Sequence, residues 1–201
     1  KETGSQAGEP TLTAAPRPLH QIPEPTPTFK GRQKELDQLT AAIAEGGVAI
    51  YGVRGMGGIG KTALALKLAQ RLAPDYPDAQ VFVDLRGTSS PLAPGDVMGH
   101  VIHTFHPQAE LPASDSERHG LYRSVLHGQR ALLMLDDAAD ADQVRPLIPP
   151  ASCALLVTSR RRFRLPGMRA LDLGVLGEEE ARELLCELAP RVGDRADEIA
   201  A

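Results

Sequence analysis

Along the chain, two kinds of apolar spacing alternate. Val48, Ala49, Ile50, Tyr51 and Val53 form a short continuous run, and Ala63, Leu64, Leu68 and Leu72 follow at wider intervals. The run predicts a buried strand, and the wider spacing, close to the helical repeat, predicts a helix with one apolar face. The same alternation recurs downstream. Val81, Phe82, Val83 and Leu85, interrupted by Asp84, predict a second strand, and Val97, Met98, Val101, Ile102 and Phe105 fall on one helical face. Ser114 and Glu117 form a capping-box pattern opening a helix with Leu121, Tyr122, Val125 and Leu126, which Gly128 closes.

Residues 130–135 then predict a third strand, 140–148 a short helix ended by Pro149-Pro150, 153–158 a fourth strand and 169–173 a fifth. Residues 178–188 predict a helix with Ala181, Leu184, Leu185 and Leu188 inward, and 194–201 the start of another. Upstream of everything, Leu36, Leu39 and Ile43 line a helix stopped at Gly46-Gly47. Residues 1–27 hold six prolines among Thr, Ser, Gly and Gln, which reads as a linker or disordered segment tethering something upstream. The predicted architecture is α/β: a doubly wound, five-stranded parallel sheet whose ligand lies beyond the carboxyl ends of its strands.

One such end carries Gly55-Met56-Gly57-Gly58-Ile59-Gly60-Lys61-Thr62, the G-x-x-x-x-G-K-[ST] phosphate-binding loop, between a strand and a helix. Closely spaced glycines let backbone N–H groups converge on phosphate oxygens, and the helix N-terminus adds partial positive charge. Lys61 is suited to reach the β and γ phosphates, and the Thr62 hydroxyl to ligate Mg²⁺. The fixed positions recur too rarely by accident for a Gly-rich turn to be the better reading.

Composition narrows the picture modestly. The formal net charge is −4 over 201 residues, so no global basic excess points to nucleic acid or an anionic membrane. The two cysteines, Cys153 and Cys186, stand far apart inside apolar segments, which suits buried thiols in a reducing compartment. The N-terminal stretch has no apolar core of a signal peptide, and no run is long enough to span a bilayer; the chain reads as cytoplasmic.

Two further strand ends carry polar groups. Leu132-Leu133-Met134-Leu135-Asp136-Asp137 is a Walker B pattern, with Asp136 placed to hold Mg²⁺ and Asp137 to orient or deprotonate a water. Read alone, the pair could equally cap the next helix; the phosphate loop upstream favours the first reading. Ala154 to Arg160 repeats the design: an apolar strand, two hydroxyls, then an arginine whose planar fork suits a γ-phosphate. Arg160, Arg161, Arg162 and Arg164 also allow a solvated or nucleic-acid-contacting cluster, and one arginine inward with three outward is the expectation. His100, His103 and His106 rotate off any common helical face and read as surface residues.

Together with Phe29-x-Gly31-Arg32-x-x-Glu35-Leu36, these motifs resemble the NB-ARC branch of the STAND P-loop ATPases. The chain is most similar in look to bacterial regulators of the AfsR type: LLMLDDAAD at 132–140, QVRPLIPP at 143–150 and ALLVTSRRRF at 154–163 carry that likeness. The resemblance implies a nucleotide-binding domain over 28–175 and the truncated start of a helical subdomain over 176–201. In such proteins the phosphate-loop strand is flanked by the sensor-arginine strand, with the Walker B strand beyond. It implies Phe29, Lys30 and Arg32 near an adenine nucleotide, with Gly57, Gly58, Ile59, Gly60, Lys61, Thr62 and Ala63 around the phosphates. Thr62 and Asp136 are implied at magnesium, Asp137 at water and Arg160 as sensor. The implied cofactors are ATP or ADP with Mg²⁺. The implied role is a slow ATPase switch whose effector and sensor domains lie outside this chain, with a possible oligomer in the ATP state. Nucleic acid would then be met only through an effector domain. A nucleotide-stabilised scaffold or DNA-contacting module is the alternative; a housekeeping kinase lacks an acceptor motif here.

Overall fold

The computed structural model describes residues 19–44 and 49–189. The expected linker up to residue 18, the Gly46-Gly47 stop, Val48 and the final helix fall outside the described residues. The elements run β1 (Leu19–His20), α1 (Gln33–Ala44), β2 (Ala49–Arg54), α2 (Lys61–Leu72), β3 (Ala79–Asp84), α3 (Pro94–Phe105) and α4 (Asp115–Leu126). They continue with β4 (Ala131–Ala138), the four-residue α5 (Ala141–Val144), β5 (Ala154–Ser159), β6 (Met168–Asp172) and α6 (Glu178–Leu188). The strands form one parallel sheet in the order β1-β3-β4-β5-β2-β6.

The strand carrying the phosphate loop therefore lies beside β5, with β4 beyond it, as the family resemblance implies. The doubly wound parallel sheet is the predicted one, with six strands instead of five. The additional strand is β1, inside the stretch expected to be a linker: Leu19 pairs with Ala79 and His20 with Gln80. Gln21 N donates to Gln80 O at 2.7 Å. Two residues are too few to show a period of two. The prolines that follow sit past the paired residues at a sheet edge, where a missing N–H is tolerated.

Alternation along the strands divides the core between two faces. Val81, Val83, Leu133, Leu135, Leu155 and Val157 pack with Val97, Val101, Ile102, Tyr122 and Leu126 from α3 and α4. Tyr51, Val53, Leu132, Met134 and Leu156 pack on the opposite face with Leu36 and Leu39 of α1 and Leu64, Leu68 and Leu72 of α2. Residues buried from both sides read as continuous apolar runs, which is why the central strands were legible.

Three local expectations are corrected. The helix after Ser114 forms, but the Ser114 side chain makes no cap hydrogen bond. Instead, Glu180 Oε2 accepts from Gly177 N at 3.3 Å at the start of α6. Cys153 is buried, whereas Cys186 is exposed; it lies two residues, about 200° of helical turn, from Leu184 and Leu188 on the apolar stripe. Leu188 is itself 61% exposed, because α6 lies along a cavity rim and not on the sheet.

Tyr122 offers a test of this packing. Its fully buried hydroxyl donates to Leu147 O at 2.7 Å, tying α4 to the turn before β5. Tyr122→Phe keeps the volume and strands that carbonyl, so a loss of about 1–2 kcal/mol is expected in urea unfolding. An unchanged midpoint would mean the bond contributes nothing.

Candidate functional site

β2, β4 and β5 deliver their carboxyl ends to one place. Gly60, at the N-cap of α2, has φ 95°, and Gly58 has φ 76°; a Cβ added to either would meet open space. The crest of the loop is thus uncluttered backbone in conformations that glycine adopts without strain. Lys61 opens α2 and is only 8% exposed, with Nζ donating to Met56 O at 2.8 Å. Thr62 Oγ1 lies 2.9 and 3.1 Å from the two carboxylate oxygens of Asp136.

Asp136 and Asp137 lie near the carboxyl end of β4, whose residues 131–135 are all buried, which fixes where the carboxylates emerge. The β4–β5 register shifts between Leu135 and Ala138, and Asp137 adopts φ 52°. Such a bulge turns successive side chains in directions that a regular strand would not. Thr158 of β5 braces the turn: its hydroxyl donates to Asp136 Oδ1 at 2.6 Å and accepts from Asp137 N at 3.0 Å. The helix cap in this region is Asp140, whose Oδ1 accepts from Asp142 N and Gln143 N, so the two earlier acids are free of that duty.

Arg160, just beyond β5, lies between the two motifs. Its Nε stands 3.7 Å from Asp137 Oδ1, and a Cβ on Gly57 would sit 3.0 Å from its Nη1. Arg161, Arg162 and Arg164 are exposed, with Arg162 Nε 3.7 Å from Asp172. Arg160 is itself exposed, with 53% of its side chain open to solvent, so it approaches Asp137 and the phosphate-loop crest from the surface and is not the buried arginine expected. The three histidines are on the surface, and His103 Nε2 pairs with Ala109 O at 3.0 Å.

Beside the crest lies a cavity of about 230 Å³. Phe29, Lys30 and Arg32 line one side, Gly58, Ile59, Gly60 and Ala63 the base, and Leu176, Leu184 and Leu188 the far wall. The ten residues expected near a nucleotide are therefore distributed over one crest and one adjoining apolar hollow. Arg32 is buried at φ 62°, and its guanidinium is engaged by Gly174 O at 2.6 Å, Val175 O at 3.4 Å and Glu35 Oε1 at 2.9 Å. It shapes the wall with both terminal nitrogens already engaged.

Sequence reasoning assigned no place at the site to Thr158, Thr88, Thr26, Thr28 or the α6 leucines. The hydroxyl after an apolar strand was a visible signal for Thr158. Nothing in the local pattern marks Thr88, which reaches Asp137 from the loop after β3.

The donor set fits an anion with a hard cation. Two cationic groups, Lys61 and Arg160, flank exposed loop amides, while one hydroxyl and one carboxylate meet at Thr62 and Asp136. Among the described residues no group of three or more His, Cys, Asp or Glu side chains could hold a metal unaided. Such sparse oxygen ligation suits Mg²⁺, which keeps waters and takes phosphate oxygens. Among them, too, no helix is long and apolar enough to cross a membrane.

Residues 32–193 match the model of the NB-ARC domain. The regulatory protein AfsR of Streptomyces griseus is 41% identical over 202 residues, covering 96% of this chain and 21% of that protein. Its counterpart in Streptomyces coelicolor is 41% identical, covering 92% and 20%. The chain thus spans about a fifth of the length of these relatives. Among solved structures, a STAND protein with a tetratricopeptide repeat sensor from Pyrococcus horikoshii shares the fold at a TM-score of 0.55, with 18% identity over 89% of this chain and 28% of that one.

Lys61 yields a pH test. Burial, and next the Arg160 guanidinium, hold its ammonium below the ordinary lysine value of 10.5, with Asp136 and Asp137 opposing. The unfolded chain keeps that proton to higher pH, so stability gains as pH rises through the window below 10.5. The urea midpoint of the wild type relative to Lys61→Met is expected to climb across that window. A flat difference would contradict the crowding of the ammonium.

Proposed function

The chain belongs to the NB-ARC domain family, and from that premise we propose that it is the nucleotide-binding core of a STAND-type signalling ATPase. It binds ADP or Mg-ATP and acts as a slow, nucleotide-dependent switch inside a longer regulator. The observation that carries this reading is the meeting of Thr62, Asp136 and Thr158, with Arg160 beside Asp137, at adjoining strand ends.

Each side chain then has a task. Amides of Gly57 to Lys61 and the N-terminus of α2 receive the phosphates, and the Lys61 ammonium leaves Met56 O to meet them. Thr62 and Asp136 would hold Mg²⁺, which when bound neutralises charge developing on phosphate oxygens. Asp137 orients the attacking water, and Arg160 reads the γ-phosphate. Phe29 and Ile59 offer apolar surface to adenine in the adjoining cavity. The Arg32 guanidinium holds the wall of that cavity in place.

A switch must favour one form strongly. Moving an equilibrium from 1:99 to 99:1 takes a difference in affinity of about 5.5 kcal/mol. A γ-phosphate that both Arg160 and Thr62–Asp136 sense is a plausible source for much of it. The effector and sensor domains, a nucleotide-dependent oligomer and a cytoplasmic setting belong to the same proposal, as do the boundaries at 28–175 and 176–201.

Calorimetry with Mg²⁺ present tests the reading. Lys61→Ala is expected to weaken ADP binding by at least about tenfold, the scale of one charge-assisted contact. Equal affinity in both proteins would sink it. Steeply salt-dependent DNA binding, lost in Arg161 and Arg162 variants, would instead favour the DNA-contacting module.

A further inference from the structure

The loop after β3 runs along the turn that holds the two acids and bonds to it step by step. Leu85 N donates to Asp136 O at 2.8 Å, and Gly87 N to Asp137 O at 2.6 Å. Thr88 then donates twice to Asp137 Oδ2, from its N–H at 3.0 Å and from its hydroxyl at 2.7 Å. A Cβ on Gly87 would run into the Ala139 amide and the Asp137 carbonyl, so glycine is what permits this approach.

Two residues in the contact hold unfavourable backbone angles: Arg86 at φ 53° and Asp137 at φ 52°. Left-handed conformations in residues with side chains persist where surrounding bonds over-determine them, and here Arg86 N is anchored to Asp84 Oδ1 at 2.9 Å. A loop serving only to connect β3 to α3 has no need of such a conformation at a neighbouring strand's acid.

An aspartate carboxylate turns easily about its last bond, so an unpartnered one exchanges its two oxygens. Thr88 removes that freedom by taking Oδ2. Oδ1 is left facing Arg160 Nε at 3.7 Å, on the side of the phosphate-loop crest.

From this geometry we propose that Thr88 is a positioning residue for hydrolysis: it locks the Asp137 carboxylate so that Oδ1 is the oxygen presented to water. The inference rests on the nucleotide reading above. In the step concerned, the water oxygen bonds to the γ-phosphorus as the bond from that phosphorus to the β–γ bridging oxygen breaks. Oδ1 takes the water proton and returns it to solvent, and the products are ADP and inorganic phosphate. Thr88 acts through the Asp137 carboxylate that it holds.

Single-turnover hydrolysis of Mg-ATP and calorimetry with ADP, on the whole chain, test this together. Thr88→Val, nearly the same shape without the hydroxyl, is expected to slow hydrolysis about tenfold, the scale of one hydrogen bond to a charged group. ADP affinity should stay within about twofold, and Thr88→Ser should restore most of the rate. A normal rate in Thr88→Val, with only its melting temperature lowered, would overturn the proposal and leave the loop a simple tie. If Thr88→Val does not fold, Thr88→Ala against Thr88→Ser carries the same comparison. A wild-type chain that binds ADP without hydrolysing ATP would overturn the catalytic reading beneath it, and one that binds no ADP the nucleotide reading as a whole.

Discussion

One carboxylate holds the site together. Asp136 accepts from Thr62 at the start of α2 and from Thr158 of β5, and its carbonyl accepts from Leu85 after β3. Three segments distant in sequence therefore meet at one residue, and a half-buried acid has hydrogen-bond donors on its carboxylate and on its carbonyl. The position of Asp136 is in turn set by the strand behind it, whose residues from Ala131 to Leu135 are enclosed by helices on both faces. A one-residue slip of such a strand would exchange the faces its side chains pack against and carry Asp136 toward the core, so close packing becomes placement of charge.

The electrostatics follow from that placement. Lys61 is drawn in by the first turn of α2 and lies near the Arg160 guanidinium, so burial and like charge both act against its ammonium. Asp136 and Asp137 offset this only in part. Two cations close to unhindered amides, against two acids already committed to hydroxyls and each other's neighbours, leave an environment that gains from an added anion. On the nucleotide reading, the apparent discomfort of Lys61 is stored selectivity for phosphate.

Much of this was legible in the chain. Gly55 to Thr62 announces a turn that only one common ligand class explains, and the central strands read clearly because parallel strands are apolar throughout. What escaped has physical causes. β1 is two residues long and lies among prolines. Thr88 joins the site through tertiary approach across the β3–β4 pair, where Asp84 stands opposite Asp136, and no local periodicity records such a contact. The apolar stripe of α6 was read as core-facing, yet Leu184 and Leu188 line a cavity, because spacing tells which residues share a face and not what that face meets.

The two sides of that cavity are held very differently. Arg54, at the end of β2, reaches Phe163 O at 3.1 Å, and its Nε stands 3.0 Å from Asp172 Oδ1, while its own carbonyl accepts from Leu173 N at 2.6 Å. Arg32 takes the carbonyls of Gly174 and Val175. Two nearly buried guanidinium groups thus hold the end of β6 and the first residues after it, at Asp172, Gly174 and Val175, a use for which the wide fan of arginine donors is suited and a single ammonium is not. The α6 side is joined to Phe29's neighbour through Lys30 and Glu187 at 3.2 Å, with side chains 46% and 37% exposed. A pair that open to solvent contributes little and is weakened by salt. The segment from Leu173 to Gly177 thus joins a sheet edge held by arginine contacts to a helix whose Lys30–Glu187 pair is open to solvent, and Glu180 packs against Gly31 beside it.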